Sequence, residues 1–98
     1  MLQEVKELYK KENVLLSDFG NIIKKELGEG YFLLSEHYDF ISLYDKNINE
    51  IAYARHNHNH MTMNSNLLNL FSIETIKELE ESLILISNYF KDIETIYE

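Results

Sequence analysis

The sequence contains no cysteine, no proline and no tryptophan, and it has only three glycines. Without cysteine, disulfides and thiolate metal sites are excluded. The glycines at positions 20, 28 and 30 do not form a phosphate-binding loop or a dinucleotide-binding fingerprint, which need glycines at fixed spacings. The GxSxG motif of serine hydrolases is also missing. These absences predict a protein that is not an enzyme and that uses no cofactor.

Long apolar runs are missing as well. The longest wholly aliphatic run is LILI at residues 83–86, whereas a membrane-spanning helix needs about 20 apolar residues. The N-terminal segment mixes charged and apolar residues and lacks the continuous apolar centre of a signal peptide. We therefore expect an intracellular, cytoplasmic protein that does not associate with membranes.

The net charge of −8 is concentrated near the C-terminal end, where residues 72–98 contain seven acidic residues and two lysines. Direct binding to nucleic acid is disfavoured, because phosphate contacts need clustered lysine and arginine. An acidic face is instead suited to a basic patch on a partner protein. The alternative is a solvated helix face that serves solubility alone.

The order of sequence patterns predicts a single α+β domain over residues 1–98. Residues 2–12 and the segment that follows Ser17 have apolar residues at helical spacing, with Ser17 as N-cap and Gly28 as the stop signal. Aromatic and β-branched residues then predict a three-stranded antiparallel sheet over residues 31–36, 39–45 and 50–60. A long C-terminal helix, capped by Ser72 and extending to residue 97, is expected to pack on this sheet.

The stretch ARHNHNHMTMN places three histidines, His56, His58 and His60, at alternate positions. On a strand, adjacent members of this set lie roughly 7 Å apart on the same face, so two of them can reach one metal ion. A site would use His56 with His58, or His58 with His60, and its partners would be His37, Glu36 or Asp39 from the first hairpin. His37 is the only other histidine, so His37, His56 and His58 are the first candidates. The alternating residues Asn57 and Asn59 are polar too, which is typical of an exposed strand end. We predict that these histidines bind no functional metal.

The segment GYFLLSEHYDFISLYDKNINEIAYA, followed by a capped amphipathic helix, resembles small uncharacterised accessory proteins of phages and prophages from AT-rich, Gram-positive-type bacteria. The resemblance covers residues 17–95 and carries no catalytic residue. It implies a protein of a mobile element, acting in the bacterial cytoplasm. Many such small acidic proteins bind and inhibit a host factor, and anti-CRISPR proteins are among them.

Taken together, these features predict a non-enzymatic protein–protein interaction module, of which an inhibitor of a host defence nuclease is one form. The partner is expected to present a basic surface, such as a nucleic-acid channel. The predicted binding face lies on the last helix and consists of Glu78, Glu80, Glu81, Tyr89, Asp92 and Glu94, with Tyr89 as an aromatic anchor. A homodimer is the alternative, because that helix carries more apolar residues than one core face needs. A histidine-based metal-binding protein is the second alternative.

Overall fold

The computed structural model describes residues 1–37, 40–55 and 59–97, and leaves out the side chains of residues 36, 37 and 91–97. It confirms the α+β class and the long C-terminal helix. The elements in chain order are α1 (Leu2–Tyr9), α2 (Leu16–Leu27), β1 (Phe32–His37), β2 (Phe40–Tyr44), β3 (Glu50–Arg55), β4 (Met61–Met63), α3 (Leu67–Leu70) and α4 (Ile73–Tyr97).

The sheet is antiparallel throughout, and its four strands are neighbours in chain order, β1-β2-β3-β4. It therefore has one strand more than the three predicted. The third strand is described over Glu50–Arg55, and it does not reach residue 60, because residues 59 and 60 form a bend. The chain returns as β4, which pairs Met61 with Ala54 and Met63 with Ala52. A strand of three residues is too short to show an alternating pattern, which is why the sequence did not reveal it.

One face of the sheet, here called the core face, packs against α4. Its side chains are aliphatic and buried: Leu33, Ile41, Leu43, Ala52, Ala54 and Met61. On the helix, Leu79, Leu83 and Ile86 are fully buried, as their spacing predicts. The predicted cap is also present, because the Ser72 hydroxyl oxygen accepts a hydrogen bond from the Thr75 N–H at 3.1 Å.

The two N-terminal helices complete the helical layer: α1 packs on α4, and α2 lies beside β1. Helix α2 begins at Leu16, so the prediction of Ser17 as N-cap is wrong. The Asp18 carboxylate accepts a hydrogen bond from the Leu15 N–H at 2.9 Å and satisfies one of the donors that a helix start leaves free. The helix ends as predicted, with Gly28 at φ 129°, a conformation that side chains disfavour.

Among the helices of the described residues, none combines the length and the apolar character that crossing a membrane requires.

Candidate functional site

The structure does not bring the predicted acidic residues of α4 together on one binding face. The Glu78 carboxylate accepts a hydrogen bond from the Leu2 N–H at 3.3 Å, so it faces α1. The Glu80 carboxylate accepts one from the Met61 N–H at 3.1 Å, so it faces β4. Residues two apart on a helix differ by about 200° in direction. Of the three predicted acidic residues whose side chains are described, Glu78 and Glu80 are partly buried and Glu81 is exposed. The side chains of Asp92 and Glu94 lie outside the described part.

The structure places Tyr89, the predicted aromatic anchor, in the core. It is 8% exposed, and its ring meets Tyr9, Phe19 and Phe90 edge-on, with ring centroids 5.2–5.7 Å apart. Its hydroxyl accepts a hydrogen bond from the Val14 N–H at 3.0 Å and donates one to the Lys11 carbonyl at 2.9 Å. The physical reason is that α1 and α2 cover a side of α4 that the sequence pattern did not predict to be buried.

The same packing accounts for the apolar surplus of α4. Helix α1 packs along it, and among its described large apolar residues only Ile73 is exposed, at 66%. For residues 73–90, the observation that motivated a homodimer is thus explained within one chain. The dimer itself stays a prediction.

The histidine stretch is only partly described. His56 and His58 lie outside the described residues, as does the side chain of His37. His60 is exposed in a bend immediately before β4. Among the described side chains, no group of three or more histidine, aspartate or glutamate residues is arranged to hold a metal ion. The prediction that these histidines bind no functional metal stays a prediction.

A groove of about 520 Å³ lies at one end of the sheet, and we call it the Ile48 groove. One wall is the loop that joins β2 to β3, and the other is the turn between β4 and α3. Apolar side chains of both walls line it: Ile48, Ile51, Leu67 and Leu70. Ile48 and Leu70 are respectively 71% and 57% exposed, and a groove of this size can accept a partner's side chain.

Both walls are held by side chains that accept backbone hydrogen bonds. The Asp45 carboxylate accepts from the N–H groups of Asn47 and Asn49 at 2.9 and 3.0 Å. On the other wall, the Asn64 side-chain oxygen accepts from the Asn66 N–H at 2.9 Å. The Asn64 N–H in turn donates to the Ile51 carbonyl at 2.8 Å, which ties this wall to the sheet. Such turns fix the backbone locally, so the groove is preformed.

Ile48 has an unfavourable backbone conformation, with φ at 62°. The Ile48 N–H donates to the Asp45 carbonyl at 3.0 Å, and the Asp45 N–H donates to the Asn49 carbonyl at 3.1 Å. This pattern is that of a three-residue hairpin loop whose third residue is left-handed, a position usually held by glycine or asparagine. A β-branched residue there is a genuine outlier, and such outliers concentrate at functional sites. The loop therefore holds an exposed isoleucine where its geometry favours another residue.

The loop is stabilised by the ionised form of Asp45. The hydrogen bond from the Asn49 N–H is the largest cause, and together with the hydrogen bond from the Asn47 N–H it holds the pKa of the Asp45 carboxyl below its ordinary value, against the opposing effect of desolvation. A carboxylate that accepts backbone hydrogen bonds is favoured in its charged form. The rim of the groove thus carries the negative charge of Asp45 and of Glu50, and no lysine or arginine is among the described residues that line it.

The predicted strands over residues 39–45 and 50–60 leave a short connection at these positions, but the sequence pattern did not single out Ile48. The signal was nevertheless present in DKNIN, where asparagine occurs on both sides of the left-handed position but not in it. Comparison with known proteins does not extend the assignment. No protein-family model matches this chain, and no curated protein or solved structure shows significant similarity to it.

Proposed function

We propose that this protein is a non-enzymatic interaction module that binds a partner protein at the Ile48 groove. The observation that carries the proposal is the exposed isoleucine in a left-handed conformation, held on a fixed loop beside an apolar groove. Such a conformation disfavours the folded state by about 1–2 kcal/mol, and nothing in the packing of this side chain offsets it. Binding would offset it, because a rigid apolar residue beside a pocket is a typical interface anchor.

The charges of the groove favour a basic partner surface. A lysine or arginine side chain of the partner would lay its aliphatic stem against Leu70 and Ile48 and direct its charge to Asp45 and Glu50. The net charge of −8 would increase the association rate with such a surface. The resemblance to accessory proteins of phages supports a finer form of this proposal, in which the partner is a host nuclease and binding inhibits it.

The test is quantitative affinity capture from lysate of the source cell with three baits: the unaltered protein, Ile48→Asn and Leu15→Asn. Leu15 is the matched control, because it is 64% exposed but does not line the groove. We expect one or more proteins that are captured by the unaltered protein and by Leu15→Asn, but not by Ile48→Asn. With the purified partner, Ile48→Asn should weaken binding by about ten-fold or more, as the loss of an interface anchor does.

Recovery of the same proteins in equal amounts with all three baits would contradict the proposal.

The homodimer is distinguished by sedimentation at high micromolar concentration, where a strict monomer excludes it and a tight dimer supports it. For the finer form of the proposal, the captured partner should be a nuclease, and the protein should lower its activity in a manner that Ile48→Asn abolishes.

A further inference from the structure

A second cavity lies at the other end of β3, on the face of the sheet opposite the core face. It measures about 160 Å³, and the described residues that line it are Tyr53, Arg55, His60 and Thr62. Tyr53 and Thr62 are cross-strand partners, so the cavity lies across β3 and the start of β4. At about 30 Å³ per water molecule, its volume corresponds to about five waters. That is sufficient for one small polar group rather than for a whole metabolite.

Arg55 is the only arginine of the protein. Its guanidinium carbon lies 5.5 Å from the centroid of the Phe40 ring, and the Phe40 and Tyr53 rings are themselves 5.7 Å apart. Contact with the ring limits the freedom of the guanidinium group. Within the described part of the chain, no carboxylate lies within the 4.0 Å of an ion pair with Arg55. With respect to the described residues, its donors are therefore available to a ligand.

The lining has a common chemistry. Arginine offers only donors, and the tyrosine and threonine hydroxyls can donate. No acidic residue is among the described lining residues, although acidic residues outnumber basic ones by 17 to 9 in the protein. The planar guanidinium fork matches the two oxygens of a carboxylate or a phosphate. We propose that this pocket is an oxyanion-binding site, specific for a carboxylate or phosphate group.

This site is independent of the Ile48 groove. The groove includes Glu50 and Ile51 at the start of β3, whereas the oxyanion site uses Tyr53 and Arg55 toward its end. From Glu50 to Arg55 a strand extends roughly 17 Å. Loss of anion binding would therefore leave the function proposed for the groove untouched, and the reverse holds as well.

The test is a titration followed by two-dimensional ¹H–¹⁵N NMR at constant pH and ionic strength, with chloride as the reference anion. Sodium acetate is one arm and inorganic phosphate is the other. We expect saturable shifts at the Arg55 side-chain N–H and at the amides of Tyr53 and Thr62. Arg55→Gln should weaken binding by roughly ten-fold or more, because two charge-assisted hydrogen bonds are lost. Lys46→Gln, which removes a charge in the β2–β3 loop, should leave binding unchanged.

Thr62→Val is the second variant. It removes one hydroxyl and retains the Arg55–Phe40 contact, so it tests the site even where Arg55→Gln disturbs folding. It should weaken binding by a few-fold. Saturation by acetate identifies a carboxylate as the ligand group, and saturation by phosphate alone identifies a phosphate. The absence of saturable shifts in both arms would overturn the proposal, as would shifts that persist unchanged in Arg55→Gln and Thr62→Val.

Discussion

Replacement of Ile48 by asparagine should make the protein more stable, although it removes an apolar side chain. A left-handed conformation disfavours a residue with a Cβ atom by about 1–2 kcal/mol, and asparagine tolerates it far better than a β-branched residue does. Less than a third of the isoleucine side chain is buried. Complete burial would contribute about 1.5–3 kcal/mol, so the loss here is below about 1 kcal/mol. The net gain in the free energy of unfolding is therefore about 0.5–1 kcal/mol.

The assay is paired thermal and urea denaturation of the unaltered protein, Ile48→Asn and Ile73→Asn. For a domain of about 100 residues, 1 kcal/mol shifts Tm by about 4–8 °C. Ile48→Asn should raise Tm by about 2–8 °C and raise the urea midpoint without changing the slope. Ile73 is 66% exposed at the start of α4 and is not among the residues with positive φ, so Ile73→Asn should give no gain.

An unchanged or lower Tm for Ile48→Asn, or an equal rise for Ile73→Asn, would refute the reasoning from backbone strain. Ile48→Gly adds a second check. Its gain should be smaller than that of asparagine, because glycine loses about 0.5–1 kcal/mol more through the entropy of its unfolded chain. Higher stability together with weaker partner binding would identify a residue retained for function at the expense of the fold.

Three further predictions concern the hydrogen bonds of the fold. Tyr89→Phe should lower the free energy of unfolding by about 1–3 kcal/mol, because it leaves a buried N–H and a carbonyl unpaired; urea denaturation measures the loss, and a change below about 0.5 kcal/mol would contradict it. Glu80→Ala should lower the free energy of unfolding by about 1–2 kcal/mol, because a backbone N–H of β4 loses its hydrogen-bond acceptor. In the same assay, replacement of the exposed Glu81 by alanine should change it by no more than about 0.5 kcal/mol. Because the folded pKa of Asp45 lies below its unfolded value of about 3.9, its contribution is present above that value and is lost as the pH falls through the folded pKa. The stability difference between the unaltered protein and Asp45→Asn should therefore shrink between pH 5 and pH 2, and a constant difference would argue against this role.

The features that the sequence predicted correctly are those encoded by a local repeat or by a single residue type. The spacing of Leu79, Leu83 and Ile86 defines the buried side of α4, and Gly28 marks the end of α2 through its own backbone preference. The strand pattern of the middle third was equally clear, apart from β4, which is too short to have a period.

The features that the sequence did not reveal depend on distant partners. The helical pattern shows that Tyr89 lies beside an apolar stripe, but not that α1 and α2 cover it. In the same way, the sequence indicates only that Glu80 is a surface charge. The structure shows that its carboxylate accepts a hydrogen bond from a backbone N–H of β4. Ile48 is different, because its strain follows from the type of loop. The sequence DKNIN contains a signal for that loop, and the hydrogen bonds of Asp45 establish its type.

The bond network of the Tyr89 hydroxyl has a consequence for the order of folding. It joins α4 to backbone groups 75 and 78 residues earlier in the chain, and α1 finds its main packing surface on the same late helix. During synthesis, the first two helices therefore have no complete surface to fold against until α4 has been made. Contacts of such long sequence separation slow folding, because the loop must close before the contact contributes. Until α4 has been made, the N-terminal segment should accordingly expose its apolar side chains. We therefore expect this segment to be the part of the chain that depends most on chaperones.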